Sequence, residues 1–199
     1  TIGNTFSVNE AGQACLNGNC GQLASTSKTL TLPAGAVVKK AYLYWSGSGS
    51  LDNMVTINNT SVTADGTKTY TRSGGFNYFA ARKDVTSLVT GSGTYTVKDL
   101  TWSNASLYCN DNSAYGGWAM TVIYEQAALP SARIHVNTEK FQFTYPAATY
   151  STTINNISVP AGCSANAKLT FVAFEGDSYK TEKLRIAGVL DQSTPLNNN

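Results

Sequence analysis

KKAYLYWSGSGS, residues 39–50, carries apolar or aromatic groups on both faces of an extended chain: Ala41, Leu43 and Trp45 on one, Tyr42 and Tyr44 on the other. A strand of this kind has no face left for water and belongs in the middle of a sheet. GGWAMTVIYE, residues 116–125, has the same double-sided character, and AKLTFVAFEGD, residues 167–177, is a third candidate through Leu169, Phe171 and Ala173 against Val172 and Phe174. Three such runs call for a layered β structure.

Around these runs, shorter strand candidates recur between clusters of Gly, Asn, Asp, Ser and Pro. KTLTLPAG points Leu30 and Leu32 inward and ends at Pro33. MVTINNTSVTADGTKTYT, residues 54–71, reads as a meander turning at Asn58-Asn59 and again at Asp65-Gly66. GTYTVKDLTW, RIHVN (residues 133–137), KFQFTYP with Phe141, Phe143 and Tyr145 on one face, and KLRIAGVL supply further strands, and STPLNNN is a polar tail. Only DVTSLVTGSG looks helical: Asp84 caps, Val85, Leu88 and Val89 recur at i, i+3, i+4, and Gly91 stops the turn. About ten strands and one short helical turn at 84–89 predict an all-β, antiparallel two-sheet sandwich of jelly-roll type.

The chain begins TIGNTFSV, with Ile2, Phe6 and Val8 on one face of a strand. Two roles fit this pattern: an ordinary first strand of the sandwich, or a strand lent to the sheet of a neighbouring subunit. The expected organisation is therefore an N-terminal segment 1–14 and one sandwich domain, 15–199. A strand already present at the first residue needs a sheet edge to stay ordered.

Charged residues make up only 13% of the 199 and the formal net charge is +2, with Lys and Arg scattered. A basic stripe for phosphates is missing, which argues against nucleic acid. The apolar runs are too short for helical insertion into a membrane. Four cysteines stand at 15, 20, 109 and 163. Three pairings are open to them; locality favours Cys15 with Cys20 across the Asn17-Gly18 turn, leaving Cys109 with Cys163. Low charge and a hydroxyl-rich surface fit an oxidising compartment.

The runs AYLYWSGSG, VTINNTSVTADG, ARKDVTSLVTGSGTYTV, YGGWAMTVIYE and FVAFEGD, spanning about residues 41–177, resemble a family of extracellular β-sandwich regions found in large bacterial secreted and surface proteins. The resemblance implies bacterial origin, export and a sandwich fold. It carries no catalytic residues to this chain.

Few residues suggest chemistry. His135 is the only histidine, and as a general base it lacks any marked nucleophile or orienting carboxylate. Glu139, Glu175 and Asp177 are carboxylates near strands, but a glycosidase needs two that face each other. CNDNS, residues 109–113, offers oxygens suited to calcium through Asp111, with Asp177 as a second ligand, and reads equally as a turn. No other cofactor is expected. Trp102, near a strand end, is the candidate for stacking on a sugar, whereas Trp45 and Trp118 belong to the core. Lys39, Lys40 and Lys168 are conceivable isopeptide donors, or charged guards of sheet edges. Asn58, Asn59, Asn104 and Asn156 head glycosylation triplets that matter only in a glycosylating host.

These readings favour a non-enzymatic subunit of a bacterial extracellular filament or surface fibre, a head-to-tail homopolymer built by donation of the first strand. The alternative is a secreted adhesin module binding surface glycans.

Overall fold

The computed structural model describes residues 1–5, 21, 23–138, 143, 153, 170–174, 185–186 and 190–191. Its contacts divide the chain into units 1–161 and 162–199. The first unit is a two-sheet antiparallel β-sandwich.

Its strands are β1 (Ile2–Thr5), β2 (Ser25–Leu30), β3 (Val37–Ser48), β4 (Met54–Ile57), β5 (Thr60–Thr63), β6 (Gly66–Arg72), β7 (Phe76–Asp84), β8 (Gly93–Lys98) and β9 (Gly116–Glu125). One sheet runs β1-β9-β3-β7-β6 and the other β2-β8-β4-β5. The chain thus changes sheet at most connections, and each sheet mixes strands distant in sequence, the winding of a jelly roll. In the second unit the described strands are β10 (Arg185–Ile186) and β11 (Leu190–Asp191), an antiparallel pair. Of KLRIAGVL only residues 185–186 and 190 lie within the described residues, and Ile186 stands opposite Leu190.

The two double-sided runs form the centre of the five-stranded sheet. Twelve-residue β3 lies between β9 and β7, with Trp45 opposite Trp118 on one side and Ala81 on the other. Leu43, Trp45, Phe79, Trp118 and Met120 are buried and meet Val55, Ile57, Tyr95 and Val97 from the other sheet in one core. Trp118 Nε1 donates to Thr26 Oγ1 at 2.7 Å, a buried hydrogen bond from one sheet to the other. An indole N–H at this depth needs such an acceptor.

The outer face of the five-stranded sheet has its own packing. Tyr42 and Tyr44 alternate with the core residues of β3, and burial, reinforced by neighbouring Tyr42, pushes the Tyr44 hydroxyl up to about 12. Further along, Tyr70, Tyr78 and Tyr115 stack in sequence, and Phe143 stacks on Tyr70 at 5.7 Å between centroids. The exposed face of the four-stranded sheet is instead hydroxylic: Ser27 bonds Thr96 across the β2–β8 pair and Thr29 bonds Thr94.

Several expectations need correction. The Asn58-Asn59 turn is present, both residues having positive φ as a tight hairpin requires. Yet β6 pairs with β7 and not with β5, so the chain crosses between sheets at Asp65 and the meander ends there. The helical turn at 84–89 narrows to a 3₁₀ turn, Thr86–Leu88, where Asp84 Oδ1 accepts from Thr86 N. An unforeseen α-helix, α1, spans Ser106–Asn110. Residues 131–138, including RIHVN, form no strand, and neither do residues 170–174 of the third double-sided run, where Phe171 is 44% exposed. Of KFQFTYP only Phe143 lies within the described residues.

Candidate functional site

Of the residues the sequence marked for function, Ile2 lies at the N-terminal edge of the five-stranded sheet. β1 pairs antiparallel with β9, Ile2 opposite Met120 and Thr5 opposite Gly117. Ile2 therefore lies on the core face, half-buried against the cluster that holds Met120 and Trp118. Thr1 Oγ1 and Thr121 Oγ1 are 3.2 Å apart at the end of the ladder. Residues 2–5 of the expected donor strand thus complete an edge of their own sheet; Phe6 and Val8 lie outside the described residues.

β9 is longer than the strand that covers it. It pairs with β3 along Gly116–Glu125, whereas β1 reaches only from Gly117 to Met120. Among the described residues, no strand pairs with the outer side of 121–125. Val122, Ile123 and Tyr124 are half-exposed there.

The other sequence candidates are scattered. Trp102 is only 4% exposed: its ring lies in the core close to Gly47 and Gly116, so no face is offered to a sugar. Its polar neighbours concealed this, because the room comes from glycines on two distant strands. Trp45 and Trp118 are buried as expected. Asp111 does not present an open carboxylate. Arg72 holds it through both oxygens, Nη1 to Oδ2 at 2.6 Å and Nη2 to Oδ1 at 3.3 Å, while the guanidinium also sits 4.3 Å from the centre of the Phe76 ring. A carboxylate so engaged is a poor start for a calcium site, and no group of three or more metal-ligating side chains occurs among the described residues. Asp177, Glu139 and Glu175 lie outside those residues.

His135 sits in an exposed stretch with no regular structure. Lys39 pairs with Glu125 and Lys40 with Asp84, both about half exposed. Isopeptide formation between such solvated groups lacks the apolar setting that would neutralise them, and these lysines act as edge charges. Lys168 lies outside the described residues, as does Asn156. Asn58 Oδ1 accepts from Thr96 N and Asn59 Oδ1 from Lys98 Nζ, which ties both side chains into the hairpin. Cys109 is disulfide-bonded, and Cys15, Cys20 and Cys163 lie outside the described residues.

Beside α1, Phe76, Ser106, Leu107, Asn110 and Asp111 line a shallow, open depression of about 460 Å³. Its one aromatic wall, Phe76, is 7% exposed and engaged edge-on by Tyr108, so the depression has no stacking platform. No helix among the described residues is long and apolar enough to cross a membrane. No protein-family model, curated protein or solved structure matches the chain. The fold defines the class, a jelly-roll-type β-sandwich, and what the molecule does is argued from its sheet edge.

Proposed function

We propose that this chain is a non-enzymatic structural subunit of a bacterial extracellular filament or surface fibre, polymerising head-to-tail by exchange of β1 between neighbours. The observation that supports this reading is the placement of β1. It is a four-residue strand at the N-terminal edge, its one sheet partner among the described strands is β9, and Ile2 seats on the core. A strand this short contributes few ladder bonds, so release costs little, but its departure uncovers Met120 and the β9 backbone. The same register, offered by a second chain, restores both.

Repetition of a heterologous contact that does not close makes a fibre. The hydroxylic outer face of the β2–β8 sheet and the low charge suit an exported surface, and disulfide bonding at Cys109 suits an oxidising compartment. In this reading the disulfide framework is Cys15 with Cys20 and Cys109 with Cys163.

Deletion of residues 1–8 gives the test. The shortened chain is expected to stay monomeric in negative-stain images, and a synthetic TIGNTFSV peptide to bind it and protect the β9 amides from hydrogen exchange. Filaments of normal length from the deletion variant would overturn the reading.

A further inference from the structure

Three phenols cross the outer face of the five-stranded sheet ring against ring. Tyr70 on β6 and Tyr78 on β7 stand directly opposite in the ladder, which brings their rings to 6.4 Å between centroids and within 22° of parallel. Tyr115, just before β9, stacks on Tyr78 in turn at 6.0 Å and 15°. Buried Tyr108 meets Tyr78 edge-on at 6.0 Å. Such pairs contribute to packing. A row made of phenols has a second property, because a phenol gives up an electron more readily than most side chains and π-systems in contact pass the vacancy on.

The three phenols differ in what can become of the proton. An oxidised phenol is a strong acid, and it persists as a neutral phenoxyl only where that proton can leave. Tyr78 is 8% exposed, and burial pushes its phenol up, so its proton is held. The Tyr115 hydroxyl is committed. Ser46 Oγ donates to the Phe79 carbonyl at 2.6 Å and therefore accepts from the Tyr115 hydroxyl at 3.0 Å. A buried, neutral serine hydroxyl is no base, and with its own hydrogen bound to a carbonyl it passes nothing on. Tyr70 stands half-exposed on β6, at the end of the described strand order, where water takes the proton. Phe143 stacks on it at 5.7 Å and closes the row with a ring that has no hydroxyl to lose.

We propose that this row is an oxidation relay: an electron vacancy created on Tyr115 or Tyr78 moves along the stack and ends on Tyr70, the oxidative modification site of this face. The co-reactant is an outer-sphere one-electron oxidant strong enough to oxidise a phenol. In the net step the oxidant gains one electron, Tyr70 loses that electron and releases its phenolic proton to water, and a neutral phenoxyl remains. The relay is independent of strand exchange.

Photogenerated tris(bipyridine)ruthenium(III) supplies the oxidant for a test on the full chain, with a nitroso spin trap present and the adducts mapped by mass spectrometry. Of the adduct on Tyr70, Tyr78 and Tyr115, most is expected on Tyr70, although Tyr115 is half-exposed too. Tyr78→Phe keeps a stacked ring and removes the phenol in the middle. Since Tyr70 and Tyr115 are both within the oxidant's reach, this variant is expected to lower the Tyr70 adduct about twofold and to raise that on Tyr115. Tyr115→Phe, which leaves the middle of the row intact, is expected to lower the Tyr70 adduct by a similar factor, and it decides the matter alone if Tyr78→Phe does not fold. A parent chain labelled mainly at Tyr115 or Tyr78 would overturn the inference. So would an unchanged Tyr70 yield in the variants, since exposure alone would then set the labelling.

Discussion

Asp84 shows how one carboxylate can organise a junction. Its Oδ1 receives both the backbone N–H and the hydroxyl of Thr86, at 3.0 and 2.5 Å, and its Oδ2 receives Lys40 Nζ at 3.0 Å. The Thr86 hydroxyl in turn accepts from Ala41 N at 3.0 Å, so the end of β7 is tied to β3. These bonds to the ionised form, led by the Thr86 hydroxyl, hold the Asp84 carboxyl down at about 2, below its ordinary 3.8. A carboxyl lowered on folding stabilises the protein above its unfolded value and loses that contribution as pH falls through the folded one. The urea midpoint is therefore expected to fall between pH 4 and about 2, and to fall less in Asp84→Asn, which starts lower at neutral pH. Urea titrations of both proteins across this range check it; parallel profiles would refute the assignment.

Among the elements, β3 and β9 were the most legible from sequence because their neighbours do not matter to the reading: apolar groups on both faces demand a central place whatever else the chain does. β4 and β5 were legible for a local reason, the positive φ that Asn58 and Asn59 supply. What escaped depends on distance. α1 is written SLYCN between Asn- and Ser-rich flanks that suggest only turns, yet Tyr108 and Cys109 are buried. The Tyr108 hydroxyl oxygen accepts from Asn77 N on β7 at 2.9 Å. RIHVN has a strand's pattern without a strand, since pattern states what a segment prefers and not whether an edge is within reach. Of the candidate site, the strand character of residues 2–5 was readable, but its partner, more than a hundred residues away, was not.

Trp102 illustrates the same dependence and gives a prediction for β9. A Cβ at Gly116 would collide with the Trp102 indole, and one at Gly47 would stand 2.9 Å from Trp102 Cβ. The bare backbone of two strands makes the indole's place, although its N–H finds no partner among the described residues. Gly116→Ala should cost about 1–3 kcal/mol through overpacking and shift the tryptophan fluorescence as the ring is displaced. Denaturant unfolding with emission spectra checks both.

At the scale of the whole molecule, the two sheets are joined by a core that is almost wholly apolar, which gives cohesion without orientation. The Trp118–Thr26 hydrogen bond adds a directional link between them. Thr26 is 7% exposed, and Val matches its shape without its acceptor. Thr26→Val is expected to lower stability by about 1–3 kcal/mol, the penalty of an unsatisfied buried donor. Calorimetry checks this; a variant as stable as the parent would mean that the indole finds another acceptor.

The pairing of Ile2 with Met120 also has a kinetic side. Contacts between residues so far apart in sequence form late, since a long loop must close before they repay its entropy. β9 has to exist and settle beside β3 before β1 has anywhere to dock. Through most of folding, then, β1 is a strand without a ladder. In the proposed strand exchange, self-sealing or joining would be decided in that interval, by a competition between chain concentration and the rate of a single intramolecular closure.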